Sequence, residues 1–222
     1  MIPLRDRNPS YTLPFVNYFL IAANIAVFLF ELSLGENLDP FFDRFAVVPV
    51  KLVGGFVRYE FTPFLVFPVL TSMFLHGGWM HIIGNMLFLH IFGDNVEDKL
   101  GHVRYFFFYL LGGIAASLTQ IFINPASQIP MVGASGAIAG VLGAYVFMFP
   151  RAKVLTLIPI FFFFQLVELP AALFLGLWFL LQILSGVLAL GIGGDAGGVA
   201  WWAHIGGFAC GAVLMPFMRK RR

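Results

Sequence analysis

Charged residues and cysteine are both scarce in this sequence. Of its 222 residues, 11% are charged and 60% are hydrophobic, which is more apolar surface than a soluble domain can bury. A soluble protein is therefore excluded, and an integral membrane protein is indicated. The one cysteine, Cys210, excludes a disulfide framework, and we interpret it as a small buried apolar residue. The formal net charge of +2 gives no indication of nucleic acid binding.

Six apolar runs are candidates for membrane-spanning helices, since a span needs about 20 apolar residues. The predicted spans are residues 11–33, 81–96, 103–123, 135–149, 169–190 and 199–217. No small-residue cleavage site follows the first run, so we interpret it as a span and not as a signal peptide. The second and fourth runs are short, which favours helices enclosed within a bundle.

Two regions do not fit a simple series of spans. Residues 35–78 contain four prolines but are too apolar for a solvated loop, so we expect a folded segment at the outer membrane interface. Residues 154–190 would form one helix of about 55 Å, against a hydrocarbon core of about 30 Å. We expect this run to break at Pro159 and Pro170, which leaves residues 154–168 as an interfacial or re-entrant piece. If that piece spans instead, the topology changes.

The basic residues orient the six predicted spans. Both termini fall on one side, which holds ten of the 13 lysines and arginines. The other side holds the remaining three, Arg44, Lys51 and Arg58. The positive-inside rule therefore predicts that both termini are cytoplasmic.

This topology places four polar side chains in one layer near the outer surface. They are His81 and Asn85 on the second span, Ser135 at the start of the fourth, and His204 on the sixth. Polar groups within a membrane are costly and usually mark function. Each residue alone has a simpler interpretation: a serine bonded to its own helix, a satisfied interior histidine, or an asparagine bonding between helices.

Stripes of small residues predict that the fourth and sixth spans pack closely. The stripes are Gly136, Gly140 and Gly143 on one span, and Ala203, Gly207 and Gly211 on the other. Small residues allow two backbones to approach, although packing alone would explain them. Such a contact would bring the hydroxyl of Ser135 near the imidazole of His204, which could accept its proton.

The same layer could also stabilise an oxyanion. Ser135 begins a helix, where unpaired backbone N–H groups point outward, and His81 and Asn85 share one helix face. No carboxylate has a clear position to orient His204, because Asp195 lies nine residues earlier in a glycine-rich loop. This favours a two-residue Ser–His arrangement over a triad.

Three motifs in this order, "HGGWMHIIGN", "GASG" and "AHIGGFACG", resemble those of the rhomboid family of intramembrane serine proteases. The resemblance covers nearly the whole chain. It implies that Ser135 is the nucleophile and His204 the general base, with His81, Asn85 and Gly133 around the oxyanion. It implies structural roles for His76, which holds the first loop, for Glu97 in "GDNVEDKLG", and for Gly207 and Gly211 in the last motif.

The resemblance also implies the fold and the setting. We expect an all-α membrane protein, a six-helix rhomboid bundle with a large membrane-associated first loop and a lateral opening near the fifth helix. We expect one domain over residues 1–222, without a soluble domain at either end, in a bacterial plasma membrane. The expected partners are the lipid bilayer and single-span membrane-protein substrates, with no cofactor, metal or nucleic acid.

Two positions depart from the family pattern. Many members carry Trp-Arg in the first loop, and no tryptophan here precedes an arginine. Some members also place an aromatic residue four positions after the serine, stacked on the histidine, and here that position is Ala139. Support for His204 must then come from elsewhere, such as another helix.

Two other functions remain open from the residues alone. A catalytically inactive rhomboid-like protein could bind transmembrane helices without cutting them. A small transporter or metal site could use the histidines His76, His81, His90, His102 and His204. The predicted topology places His90 and His102 towards the inner side, and no carboxylate or cysteine completes a metal-binding motif.

Overall fold

The computed structural model describes residues 1–59, 62–160, 163–191 and 198–220. Within them the helices are α1 (Phe15–Ser33), α2 (Leu38–Phe45), α3 (Pro49–Val57), α4 (Pro63–Val66), α5 (Pro68–Thr71), α6 (Trp79–Leu100), α7 (His102–Ile123), α8 (Ser135–Met148), α9 (Ala171–Gly191) and α10 (Trp201–Met218). The strands are β1 (Ile2–Asp6), β2 (Lys153–Ile160) and β3 (Phe163–Pro170).

Four of the helices, α1, α7, α9 and α10, are long and apolar enough to cross a membrane. The helix α6 has 22 residues but carries charged residues near its end, which include Asp94 and Glu97. The helix α8 has only 14 residues, and every residue from Gly136 to Tyr145 is buried. A short helix is stable there because other helices, and not lipid, surround it. The chain is thus a multi-pass helical membrane protein, and the prediction of six spans remains a prediction.

The segment between α1 and α6 is folded. Short helices α2 to α5 fill it, together with single turns at Gly35–Asn37 and Ser72–Phe74. Proline begins α3, α4 and α5, where the missing N–H costs nothing because the first helical N–H groups have no partner in the helix. Val47, Leu52 and Val69 of this segment form a small core with Ile121 of α7. A folded segment was predicted, and its position at the membrane interface stays a prediction.

The all-α fold class was wrong in one region, because residues 153–160 and 163–170 form two strands of a sheet. The strand β2 pairs antiparallel with β3 and, on its other side, with the N-terminal β1, in the order β1-β2-β3. Pro170 does end the apolar run, since α9 begins at the next residue. Pro159 does not break it: it lies in β2 opposite Phe164, beyond the part of β2 that pairs with β1. Proline is tolerated at such a position because a one-sided strand leaves some N–H groups unused.

Close contacts of α8 with α10 and α7 form the centre of the bundle. A Cβ atom on Gly211 or Gly207 of α10 would overlap the backbone of Gly140 or Gly136 of α8, respectively. On α7, a Cβ on Gly112 would lie 3.5 Å from the carbonyl oxygen of Ala137. The two predicted stripes therefore do meet, and backbone lies directly against backbone.

The C-terminal end of α6 is tied to the start of α1 by Glu97. Its fully buried carboxylate accepts the backbone N–H of Val16 at 3.0 Å and that of Asn17 at 2.7 Å. The imidazole Nδ1 of His102 lies 2.5 Å from the same carboxylate. These N–H groups are in the first turn of α1, where no helical acceptor exists for them.

Candidate active site

Ser135 and His204 meet at the end of the α8–α10 contact where both helices begin. Ser135 is the first residue of α8, and His204 lies in the first turn of α10. The Nε2 atom of His204 is 2.8 Å from the Oγ atom of Ser135, a normal hydrogen-bond distance. Gly207 makes this possible, because a side chain at Gly207 would overlap the backbone of Gly136 and separate the two helices.

The other ring nitrogen of His204 also has a partner, which the sequence reasoning missed. Its Nδ1 lies 2.8 Å from Oε1 of Gln182 on α9. The Gln182 amide Nε2 donates to the backbone carbonyl of Trp178, 3.3 Å away and one turn earlier. Asp195, the acid considered from the sequence, lies outside the described residues. The sequence did carry a signal: Gln182 places an amide within the apolar run of α9, and a buried amide requires hydrogen-bond partners.

Two tryptophans flank the same imidazole. The ring centroid of Trp178 lies 5.9 Å from that of His204, and the centroid of Trp201 lies 6.3 Å from it. The aromatic support that Ala139 cannot provide therefore comes from α9 and from the start of α10.

His81 and Asn85 of α6 line the same cavity as Ser135 and His204. The Nδ2 atom of Asn85 is buried and has no hydrogen-bond partner among the described residues. The backbone N–H of Gly77 donates to Nδ1 of His81 at 3.4 Å, so a neutral ring carries its proton on Nε2. Both side chains can thus offer an N–H to an oxygen in the cavity.

Gly133 lies between these donors and the serine. Its φ is +123°, in a region that favours glycine, and its N–H bonds to the Ser72 carbonyl at 2.9 Å. A Cβ on Gly133 would lie 2.6 Å from His81 Nε2 and 3.6 Å from Asn85 Nδ2. Only glycine therefore leaves both side chains in place.

The cavity in front of Ser135 has a volume of about 360 Å³ and lies among α6, α8, α9 and α10. Its lining is partly apolar, with Met80, Phe88 and Trp178 beside the polar groups. One cavity is thus lined by a hydroxyl, an imidazole base and N–H donors. These are the groups that acyl transfer requires.

The remaining predicted residues lie outside this cavity. His76 is buried, and its backbone N–H bonds to both carboxylate oxygens of Glu31 at 3.2 Å, which ties the first segment to α1. Burial lowers the pKa of His76 to about 4. His102 is bound to Glu97, and His90 is exposed at the surface of α6. In the described part of the chain, no group of three metal-ligating side chains comes together.

A second amide missed from the sequence supports the start of α10. The Oε1 atom of Gln120, a buried residue of α7, accepts the backbone N–H groups of Trp202 at 3.1 Å and Ala203 at 3.2 Å. These are first-turn N–H groups without helical acceptors, so Gln120 caps α10 from a neighbouring helix. This fixes the helix end that carries His204.

Comparison with known families gives the same assignment as the motifs. A model of the Rhomboid domain matches residues 64–221, which is more than half of the chain. The chain belongs to the rhomboid family. The apolar helices agree with this, because they make the chain an integral multi-pass membrane protein.

Several named relatives share this similarity. RHOMBOID-like protein 1 of Arabidopsis thaliana is 31% identical over 216 residues, covering 88% of this chain and 51% of the relative. Rhomboid-like protease 5 of Toxoplasma gondii is 38% identical over 81 residues, covering 36% of this chain and 9% of the relative. Inactive rhomboid protein 1 of Drosophila melanogaster is 32% identical over 91 residues, covering 41% of this chain and 6% of the relative.

These relatives limit what the family alone establishes. The chain spans about half the length, or less, of the curated relatives it matches. Their names include both a protease and an inactive protein, so membership does not establish activity. All three are eukaryotic, and they give no support to the expected bacterial plasma membrane, which stays a prediction.

Proposed function

We propose that this chain is an intramembrane serine protease that hydrolyses a peptide bond in or near the transmembrane segment of membrane-protein substrates. The observation that carries the proposal is the 2.8 Å contact between Ser135 Oγ and His204 Nε2, in a cavity that is also lined by Asn85, whose amide nitrogen has no partner among the described residues. A half-buried hydroxyl in a merely structural role would not require an imidazole and an unpartnered amide beside it.

In this mechanism Ser135 is the nucleophile and His204 the general base. Neutral His204 takes the hydroxyl proton at Nε2 as Oγ attacks the carbonyl carbon of the scissile bond. Asn85 Nδ2, His81 Nε2 and the backbone N–H groups at the start of α8 hold the oxyanion that develops. His204 then gives its proton to the leaving amine. Water, activated by the same imidazole, hydrolyses the acyl-enzyme and restores the serine.

The substrates that fit this site are single-span membrane proteins. A membrane helix hides its peptide bonds in backbone hydrogen bonds, so it must unwind locally before Ser135 can attack. We therefore infer that residues that weaken helices, such as glycine, lie near the cut. The lateral opening beside α9, implied by the family resemblance, would admit such a helix from the bilayer.

The proposed setting follows the charge distribution. Six helices, α1 and α6 to α10, span the bilayer as one domain over residues 1–222, with both termini cytoplasmic. The first segment lies on the outer membrane interface. Ser135 and His204 then lie just below the outer surface, where water can reach the cavity. The reaction needs no cofactor or metal.

The decisive experiment compares the wild type with Ser135→Ala in liposomes that contain a panel of single-span substrates. We expect cleavage by the wild type and none by Ser135→Ala. A fluorophosphonate probe should label the wild type at Ser135 and fail to label His204→Ala. Ser33→Ala is a matched control, because that hydroxyl donates to the Phe30 carbonyl in its own helix, away from the cavity.

The alternative is an inactive rhomboid-like binder of transmembrane helices, which the Drosophila relative's name brings into consideration. Such a protein would bind single-span substrates in the liposomes and leave them intact, and its Ser135 would not react with the probe. Cleavage that persists in folded Ser135→Ala would contradict the proposed mechanism.

A further inference from the structure

A buried amide on α9 faces the imidazole of His204 from the side opposite Ser135. Only six of the 21 residues of α9 are buried, and Gln182 is the polar one among them. Its Oε1 lies 2.8 Å from His204 Nδ1. We propose that Gln182 is a positioning residue, which accepts the Nδ1–H proton of His204 and so holds the ring in the tautomer and orientation that serine activation needs. This inference rests on the proposed protease function.

The orientation of the Gln182 amide follows from its second contact. The carbonyl oxygen of Trp178 can only accept a hydrogen bond, and the amide end that faces it, at 3.3 Å, must therefore be the NH₂ group. The oxygen end is left for His204. Because an amide oxygen only accepts, the facing Nδ1 must carry the proton, and Nε2 is left with a free lone pair towards Ser135.

This tautomer is the one that the reaction needs. With the proton on Nε2 instead, the imidazole could only donate to Ser135 Oγ and could not remove its proton. Serine alone does not select between the two forms, since a hydroxyl can either donate or accept. Gln182 does select, and it also accepts from Nδ1–H after the imidazolium has formed.

Burial explains why an amide occupies this position. A carboxylate would bring an unpaired charge into a membrane-embedded site, which is costly unless a cation balances it. A neutral amide with both ends bonded avoids that cost. An apolar side chain would pack in α9 equally well, so helix packing alone does not account for Gln182.

The neighbouring helix α8 cannot supply the support. Ala139, one turn after Ser135, is fully buried, and its Cβ lies 3.4 Å from where a Cβ on Gly207 would be. Its side chain is a single methyl group, which offers neither a ring to stack on the imidazole nor an acceptor for Nδ1. Trp178 and Gln182, four residues apart on α9, contact the ring instead.

Three variants separate positioning from packing. Gln182→Met keeps the size of the side chain and removes the acceptor, while Gln182→Glu keeps an acceptor. Ser185→Ala, a half-buried change three residues further along α9, is the matched control. We expect kcat of Gln182→Met to fall about 10- to 100-fold with KM nearly unchanged. Gln182→Glu should recover part of that loss, and Ser185→Ala should match the wild type.

A spectroscopic measurement tests the inference without relying on catalysis. The ¹⁵N shifts of histidine ring nitrogens distinguish the two tautomers, and His204→Ala identifies the signals of His204 among the five histidines. In Ser135→Ala, which cannot react, we expect the His204 proton on Nδ1. In Ser135→Ala with Gln182→Met, we expect the proton to move towards Nε2.

The outcomes distinguish this inference from the proposed function. A wild type that neither cleaves substrates nor reacts with the probe would remove the protease function and leave the tautomer measurement valid. A proton on Nε2 in Ser135→Ala would overturn the role of Gln182, even if the wild type cleaves. Equal kcat in a folded Gln182→Met would overturn it as well, and if that variant does not fold, the tautomer in Ser135→Ala decides.

Discussion

Gly207 of α10 lies against Gly136 of α8 so closely that a Cβ on Gly207 would overlap the Gly136 carbonyl oxygen. Gly136 follows Ser135 directly, and Gly207 lies three residues after His204. The backbone contact of these two glycines therefore sets the separation of the hydroxyl and the imidazole. Helix packing and the geometry of the site depend on the same small residues.

The first prediction concerns this contact. Gly207→Ala should lower the free energy of unfolding by about 1–3 kcal/mol, because the new methyl group must push the two helices apart. The same displacement should separate Ser135 from His204 and slow labelling by a fluorophosphonate. Thermal unfolding in detergent and the labelling rate measure the two effects.

Gly176→Ala is the control for helix propensity. Gly176 is exposed on α9, and a Cβ there would have no neighbour within 4 Å. Alanine is the better helix former, so this variant should be as stable as the wild type or more stable by up to about 1 kcal/mol. If both variants behave alike, close packing does not position the pair.

The helices and their contact could be predicted because each rests on a local pattern. The length of an apolar run predicts a span, and small residues at intervals of four predict a close helix pair. The depth of each polar residue then followed from the order of the spans. Ser135 and His204 could be placed together in this way, although 69 residues separate them.

The sheet and Gln182 could not be predicted because they depend on contacts between distant segments. Residues 153–160 are apolar enough to form either a helix or a strand. Their pairing with residues 2–6 stabilises the strand. The isolated amide of Gln182 was visible in the sequence. The direction in which the Gln182 side chain points depends on how α9 is rotated relative to α10, and no local sequence pattern predicts that rotation.

The second prediction concerns Gly133. Gly133→Ala introduces a side chain at φ +123° that would also lie 2.6 Å from His81 Nε2. We expect a loss of about 1–3 kcal/mol of stability from the backbone strain. By displacing His81 and Asn85 it should also lower kcat about 10- to 100-fold. Unfolding and cleavage kinetics measure these effects separately.

Gly35→Ala is the control that separates the effect of backbone strain from the effect of displacing His81 and Asn85. Gly35 also has a positive φ, of +53°, but a Cβ there would have no neighbour within 4 Å. This variant should lose stability and keep the kcat of the wild type. A Gly133→Ala protein with full kcat would show that the oxyanion donors do not depend on this glycine.

The third prediction concerns Glu97. Glu97→Ala removes the acceptor of two backbone N–H groups in the first turn of α1 and leaves them buried. We expect the free energy of unfolding to fall by about 3–5 kcal/mol, because the two N–H groups lose the buried carboxylate that accepts their hydrogen bonds. Glu36→Ala, at an exposed position, should change stability by less than about 0.5 kcal/mol. Equal stability of the two variants would contradict a structural role for Glu97.

The fourth prediction concerns the pH dependence of stability at His76. Burial lowers the pKa of His76 from 6.5 to about 4 in the folded protein. Between these values the unfolded chain binds more protons than the folded protein, so the free energy of unfolding rises with pH. The stabilisation is complete above pH 6.5 and is lost as the pH falls towards 4.

Between pH 7.5 and 5, the wild type should lose about 1–2 kcal/mol more than His76→Phe, which cannot be protonated there. Denaturation of both proteins at the two pH values measures this difference, with His90→Phe as the exposed control. An equal loss in wild type and His76→Phe would mean that His76 is not the group whose protonation destabilises the fold.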